Sequence, residues 1–224
     1  MNDAIMAMMT GYDCKNIEDY ENALKEIVQE VALTGLARSD FFNRASFYGG
    51  TALRIFHGLP RYSEGLDFSL DKSDPSFELN EYLPYVEKEL TAYNISMSVK
   101  KKEKTRETAV QSAFLKGNTV QNILEITPND TVVYGLNPKA LVKIKFEIDT
   151  NPPEGASYQY LSSINPTPYR ARLYDLPSLF AGKIHAVLCR DYKNRVKGRD
   201  FFDYVWYLQK GCSVNLFHLQ KRME

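Results

Sequence analysis

The chain has 224 residues, 44% hydrophobic and 25% charged, so it is long enough to bury one substantial core and too apolar to be a disordered segment. Lys plus Arg and Asp plus Glu each number 28, and the resulting net charge of zero excludes bulk electrostatic steering toward nucleic acid; basic character is local, as in the cluster Lys100, Lys101, Lys102, Lys104 and Arg106. Cys14, Cys189 and Cys212 have no metal-ligand spacing and read as free thiols of a reducing cytoplasm, no apolar run approaches the roughly 18 residues of a membrane span, and the first ten residues lack the basic residues of a signal peptide.

Along the chain, Ile17, Leu24, Ile27, Val28, Val31 and Leu33 recur near helical spacing and predict a helix over 16–36 capped by Asn16. A short strand at 46–48 and a helix at 51–57 follow, the helix closed by Gly58-Leu59-Pro60. Residues 66–70 alternate as a strand, and 77–93 read as a helix with Leu79, Leu83, Val86 and Leu90 on one face. The middle is β-rich, with strands expected at 95–99, 108–115, 120–127 and 142–149. In the last of these Val142, Ile144, Phe146 and Ile148 face one way, and Lys143, Lys145, Glu147 and Asp149 the other. Helices are expected at 176–189 and 200–209 with a basic loop between them, and the chain ends at Glu224 inside a further amphipathic helix, as a truncated C-terminal part would. The pattern predicts an α+β fold: a mixed, mainly antiparallel sheet with flanking helices in a core over 1–165, then a helical part over 166–224.

The chemistry concentrates in two places. In Phe47-Tyr48-Gly49-Gly50-Thr51-Ala52-Leu53-Arg54, a strand runs through a two-glycine turn into a helix. Glycine lets the backbone approach a ligand closely, and the helix start behind it suits a phosphate. Arg61, Ser63 and Asp67 follow. Thr51 and Ser63 can hydrogen-bond phosphate oxygens, Arg54 and Arg61 can pair with them bidentately, and Asp67 can hold a divalent cation. Glu147 shares that cation if its strand lies beside the strand of Asp67; the plainer alternative is two solvated carboxylates on an exposed sheet face. The second place is Lys183 in Ala181-Gly182-Lys183-Ile184-His185-Ala186, on one helix face with Arg190, followed by Lys193, Arg195, Lys197, Arg199, Asp200 and Asp203. A lysine there can neutralise a triphosphate, whereas a solvated basic loop and two N-terminal capping acids are the plain alternative. His57, His185 and His218 have no partner at ligand spacing and read as structural.

These blocks together resemble the AbiEii/AbiGii-type nucleotidyltransferase toxins, whose fold is similar to that of DNA polymerase β-type nucleotidyltransferases. The resemblance rests on Gly49 to Arg54, on Arg61-Tyr62-Ser63-Glu64 with Leu66-Asp67-Phe68, on Lys145-Phe146-Glu147-Ile148, and on Ala181 to Ala186 with Lys197-Gly198-Arg199-Asp200-Phe201-Phe202-Asp203. It implies Mg²⁺-dependent transfer of nucleotides from an NTP to the hydroxyl of an RNA (a tRNA-like 3′ end) or of a protein, in a toxin–antitoxin or abortive-infection system with a cognate antitoxin. It implies further that Gly49, Gly50, Thr51, Arg54 and Ser63 cradle phosphates, that Asp67 and Glu147 hold metal, that Lys183 meets the triphosphate, and that Asp200 serves as acid/base or orienting residue. The family pattern has Asp-x-Asp where this chain has Gly65-Leu66-Asp67. Position 65 lies on the same strand face as Asp67, so one expected ligand is absent. A degenerate protein that binds nucleotide or RNA without catalysis is therefore the alternative.

Overall fold

The structure, a computed structural model, describes residues 3–101, 119–128, 142–190 and 198–224. The strand expected at 108–115 and most of the two basic clusters lie outside these residues. The elements in chain order are α1 (Asp3–Met9), α2 (Ile17–Ala37), α3 (Phe41–Arg44), β1 (Ala45–Tyr48), α4 (Gly49–His57), β2 (Gly65–Leu70), α5 (Leu83–Ala92), β3 (Ile95–Lys101), β4 (Thr119–Pro128), β5 (Val142–Asp149), β6 (Tyr158–Ser163), β7 (Tyr169–Tyr174), α6 (Leu176–Cys189), α7 (Gly198–Gln209) and α8 (Leu216–Met223). The strands form one sheet in the order β3-β4-β5-β2-β1-β7-β6. The β2–β5 and β1–β7 pairs are parallel and the other four antiparallel, as expected of a mixed, mainly antiparallel sheet.

Several elements differ from the sequence expectation, among them the unexpected short helices α1 and α3. The helix expected at 77–93 begins only at Leu83, where Pro84 occupies the first turn; before it runs a single 3₁₀ turn, Leu79–Glu81. Strands β6 and β7 went unpredicted: β6 is an edge strand whose Tyr158 and Tyr160 are exposed, while β7 does alternate, with Tyr169, Ala171 and Leu173 buried, over a run of only six residues. The sheet also does not stop at residue 165, since β7 pairs with β1 near its centre and the helical part starts at Leu176.

Period-two alternation gives the sheet two chemically different faces. On one, Phe47, Leu66, Phe68, Ile144, Phe146 and Ile148 are buried beneath α2 and α5. Phe68 stacks on Phe146 at 4.8 Å and takes Phe41 edge-on at 4.9 Å. Burial of each such ring stabilises the fold by about 1.5–3 kcal/mol. Helix α2 starts where Asn16 accepts a hydrogen bond from the Asp19 amide at 3.0 Å, as predicted, and is buried almost continuously from Ala23 to Leu36. The opposite face carries Tyr48, Gly65, Asp67, Ser69, Lys145 and Glu147. A second, smaller core, in which Leu53 and Leu59 meet Leu179, Phe180, Trp206 and Tyr207, docks α6 and α7 against α4. Phe180 and Tyr207 stack there at 4.5 Å. This small core sets where the charged side chains of α6 and α7 arrive.

Helix α2 also buries an acid. Glu30 is 8% exposed, and burial, reinforced by the neighbouring Glu26 carboxylate and only partly offset by Arg54, pushes its pKa up to about 8. The folded protein therefore keeps a proton that the unfolded chain releases near pH 4.5, and this residue's contribution to stability falls as pH rises from there to about 8. Glu30→Gln cannot ionise. Chemical denaturation at pH 9 is expected to show the variant more stable than the parent by about 1–3 kcal/mol, with the difference shrinking toward pH 5.

Candidate active site

The parallel register of β2 and β5 sets Asp67 directly beside Glu147, on the polar face of the sheet. The two side chains hydrogen-bond to each other. Burial, and then the Glu147 charge, push the Asp67 pKa up to about 7, against a smaller pull from Lys145 and Arg199. Two carboxylates this close share a proton or attract a cation. A cation is already present in part: Lys145 Nζ lies 2.6 Å from Glu147 Oε2.

The glycine turn abuts this pair. Gly49 has φ +85°, and a Cβ there would lie 2.5 Å from Asp67 Oδ2, so both the backbone and the carboxylate require glycine. A Cβ on Gly50 would lie 2.9 Å from Ser63 Oγ and 3.0 Å from Arg61 Nη2. Helix α4 begins at Gly49, and the Tyr48 side chain at its N-cap makes no capping hydrogen bond. The first N–H groups of α4 thus emerge beside Asp67, Ser63 and Arg61. Tyr48 pairs with Asp67 across the strands and stacks on Tyr174 at 5.5 Å.

The second group comes from α6 and α7. Lys183 Nζ lies 3.0 Å from Asp200 Oδ1 and 2.8 Å from Asp203 Oδ2. Arg190 pairs with the other oxygen of Asp200. Asp203, fully buried, receives a bidentate pair from Arg61, Nε at 2.6 Å and Nη2 at 2.5 Å. A chain of alternating charge, Arg61–Asp203–Lys183–Asp200–Arg190, thereby joins the segment before β2 to the two C-terminal helices. Burial would raise the Asp200 carboxyl, but Lys183 and Arg190 together hold it below the usual carboxylate range. Asp200 is thus held as an ionised partner of Lys183 and Arg190.

Two expected phosphate ligands are turned elsewhere. The Thr51 hydroxyl is buried and donates to the Gly65 carbonyl, fastening α4 to β2. Arg54 points to the other side of α4: its Nε donates to Glu26 Oε2 at 2.7 Å, Nη1 donates to the Leu59 carbonyl at 3.2 Å, and the guanidinium sits 4.5 Å above the Tyr62 ring. Arg61, also expected to pair with phosphate, is held instead by Asp203, and Asp203 and Arg199, to which no role at the site was given, face it as well. Arg61 and Asp203 form the clamp just described, and Arg199 acts electrostatically on Asp67. Arg61, Arg199 and Asp203 all stand in the motif blocks, yet only tertiary packing shows that the first and last are one pair. At position 65, a Cβ would lie 3.9 Å from Asp67 Oδ1 and 3.2 Å from the Lys145 carbonyl. A side chain at position 65 would start between Lys145 and Asp67.

Among the described residues, no group of three or more His, Cys, Asp or Glu side chains converges as a metal cage. The oxygen pair of Asp67 and Glu147 is the donor set a hard divalent cation prefers, and it suits an ion that takes further oxygens from a phosphate. His218 is fully buried, its Nδ1 at 2.8 Å from the Glu154 carbonyl. Cys14, Cys189 and Cys212 are free thiols.

A family model described as "Nucleotidyl transferase AbiEii toxin, Type IV TA system" matches residues 31–223. The chain belongs to the AbiEii nucleotidyltransferase toxin family. Every residue of the site, from Tyr48 to Asp203, lies within the AbiEii match. No curated protein matches the chain. Two crystal structures from Helicobacter pylori share its fold: JHP933, with TM-score 0.56 and 20% identity over 84% of this chain and 66% of that one, and a "putative nucleotidyltransferase", with TM-score 0.51 and 20% identity over 81% and 65%. This AbiEii chain thus spans just under two thirds of the length of each. No described helix is long and apolar enough to cross a membrane.

Two outcomes follow for this AbiEii chain. Asp203→Ala strips a buried carboxylate from both Arg61 and Lys183, and urea denaturation should show a loss of about 3–5 kcal/mol. Arg54→Ala should lower stability by about 1–3 kcal/mol through the loss of the Glu26 pair while leaving nucleotide affinity, measured by calorimetry, unchanged.

Proposed function

We propose that this chain transfers a nucleotide from an NTP to an acceptor hydroxyl, with Mg²⁺, as the toxin component of a type IV toxin–antitoxin pair whose cognate antitoxin is its regulatory partner. The observation that carries the reading is the placement of the Asp67–Glu147 pair against Gly49, at the open start of α4. A triphosphate on the α4 N–H groups, with Ser63 beside Gly50, sets its oxygens next to the carboxylates. Asp67 and Glu147 would hold the magnesium ion, which supplies charge neutralisation and alignment of the phosphates. Lys183 and Arg199 add positive charge from the helical side, and Asp200 with Asp203 holds the Lys183 ammonium in place. In the reaction the acceptor oxygen bonds to the α-phosphorus, the bond to the β-phosphate oxygen breaks, and pyrophosphate leaves. The hydroxyl proton passes to a carboxylate oxygen or to solvent. The acceptor is an RNA end, tRNA-like, or a protein hydroxyl.

Gly65 specifically favours a second reading, a degenerate family member that binds nucleotide or RNA without transferring it. Labelled NTP incubated with bulk RNA, protein and Mg²⁺ separates the two. Incorporation that disappears in Asp67→Asn supports transfer; nucleotide-dependent thermal stabilisation without incorporation supports the binder; neither effect rejects both.

Gly65→Asp is expected to raise incorporation, because a further carboxylate on this face strengthens the neutralisation of the transferred phosphate. Lys183→Ala is expected to weaken NTP binding by about 1.5–3 kcal/mol in calorimetry, the loss of one charge-assisted contact.

A further inference from the structure

Gly65 and Lys145 are direct partners in the β2–β5 register, one pair before Asp67 and Glu147. Four positions of one sheet face thus form a square: Gly65 and Asp67 on β2, Lys145 and Glu147 on β5. The corner at Gly65 has no side chain; a Cβ there would stand 3.7 Å from Lys145 Cβ and 3.9 Å from Asp67 Oδ1. The Lys145 ammonium reaches along its own strand to Glu147 Oε2 at 2.6 Å. The square therefore carries two carboxylates and one ammonium, a net charge of −1 when all are ionised; Asp149 follows on the same face of β5, opposite Ser69, but among the described residues no three acids converge as a metal site. Two divalent ions brought this close repel strongly and need several anionic oxygens, at least one of them bridging. Two carboxylates, one already engaged by an ammonium, leave −1 on the protein, enough with the triphosphate oxygens for one divalent ion and short of the anionic oxygens a second would need.

We infer that this chain binds a single divalent cation in its NTP complex, with Lys145 as a built-in counter-ion where a second metal ion would otherwise require the carboxylate that Gly65 lacks. The inference rests on the nucleotidyl-transfer reading above and narrows it. Lys145 neutralises Glu147, and the one ion sits at Asp67 and Glu147 with the triphosphate completing its oxygen shell. An ammonium neutralises charge but cannot polarise a bound hydroxyl as a metal ion does. Activation of the acceptor would then fall to the protein's own carboxylates.

Equilibrium dialysis of the full chain with Mn²⁺ and a non-hydrolysable ATP analogue, both saturating, gives the ratio of protein-bound Mn²⁺ to protein-bound nucleotide. A ratio of one is expected for the chain as it stands, and two for Gly65→Asp. Because the Lys145 carbonyl lies 3.2 Å from a Cβ at position 65, that variant requires a small local shift. Lys145→Met, altering a half-exposed side chain, is the second probe. It should keep the ratio at one and bind Mn²⁺ about two- to fivefold more tightly, as removal of a surface ion pair's cation predicts. A ratio of two for the unaltered chain, or unchanged Mn²⁺ affinity in Lys145→Met, would overturn this inference while leaving nucleotidyl transfer standing. Retention of neither nucleotide nor Mn²⁺ would overturn both.

Discussion

Two carboxylates sit side by side on β2 and β5 because those strands run parallel, in a register fixed by the other face of the sheet. Leu66 and Phe68 must meet Phe146 and Ile148 beneath α2, and a slip of one residue would turn every one of them to the wrong side. Apolar packing thus enforces a polar juxtaposition that is unfavourable in itself: Asp67 sits far above the usual carboxylate range because burial and Glu147 both oppose its ionisation. The core stabilises the fold enough to hold this unfavourable juxtaposition, and a cation brought to the pair would relieve it. Gly49 is part of the same constraint, since any side chain there would collide with the Asp67 carboxylate.

The helical part reaches the site through charge. Arg61 precedes β2, and Lys183 and Arg190 belong to α6 and its end; all three converge on two acids of α7. Asp203 is fully buried and Asp200 nearly so, where an unpaired charge would cost several kcal/mol. The charges therefore hold one another in a single arrangement. The small core around Phe180 and Tyr207 brings α6 and α7 to this position, and the ion chain fixes their register on the sheet. Arg61, Lys183 and the two α7 acids, from distant parts of the sequence, are thereby held in one charged cluster.

Much of this was legible in the sequence, and the exceptions have physical causes. Strict alternation in Val142 to Asp149 announced β5 and the face that carries Glu147, and the Gly-Gly turn announced the start of α4. Asp67 and Glu147 were expected to converge only if their strands were neighbours, a fact of topology that periodicity does not contain. Thr51 and Arg54 looked like phosphate ligands because residue type shows what a side chain can bind and not which way it points. Both lie on α4, yet Thr51 turns inward to the Gly65 carbonyl and Arg54 turns to Glu26 on α2. The pairing of Arg61 with Asp203 spans 142 residues and leaves no local trace. Strand β6 was missed because it is an edge strand with Tyr158 and Tyr160 exposed; β7 does alternate, with Tyr169, Ala171 and Leu173 buried, but over only six residues, two of them arginines.

The central claim is that the Asp67–Glu147 pair holds a metal ion against a triphosphate seated on the first turn of α4. A crystal grown with Mn²⁺ and a non-hydrolysable NTP analogue tests it most directly, by anomalous scattering at the manganese edge. The account predicts a peak within bonding distance of a carboxylate oxygen of each residue, with the triphosphate against Gly49 and Gly50. Nucleotide bound elsewhere on the protein, or manganese bound away from both carboxylates, would contradict it.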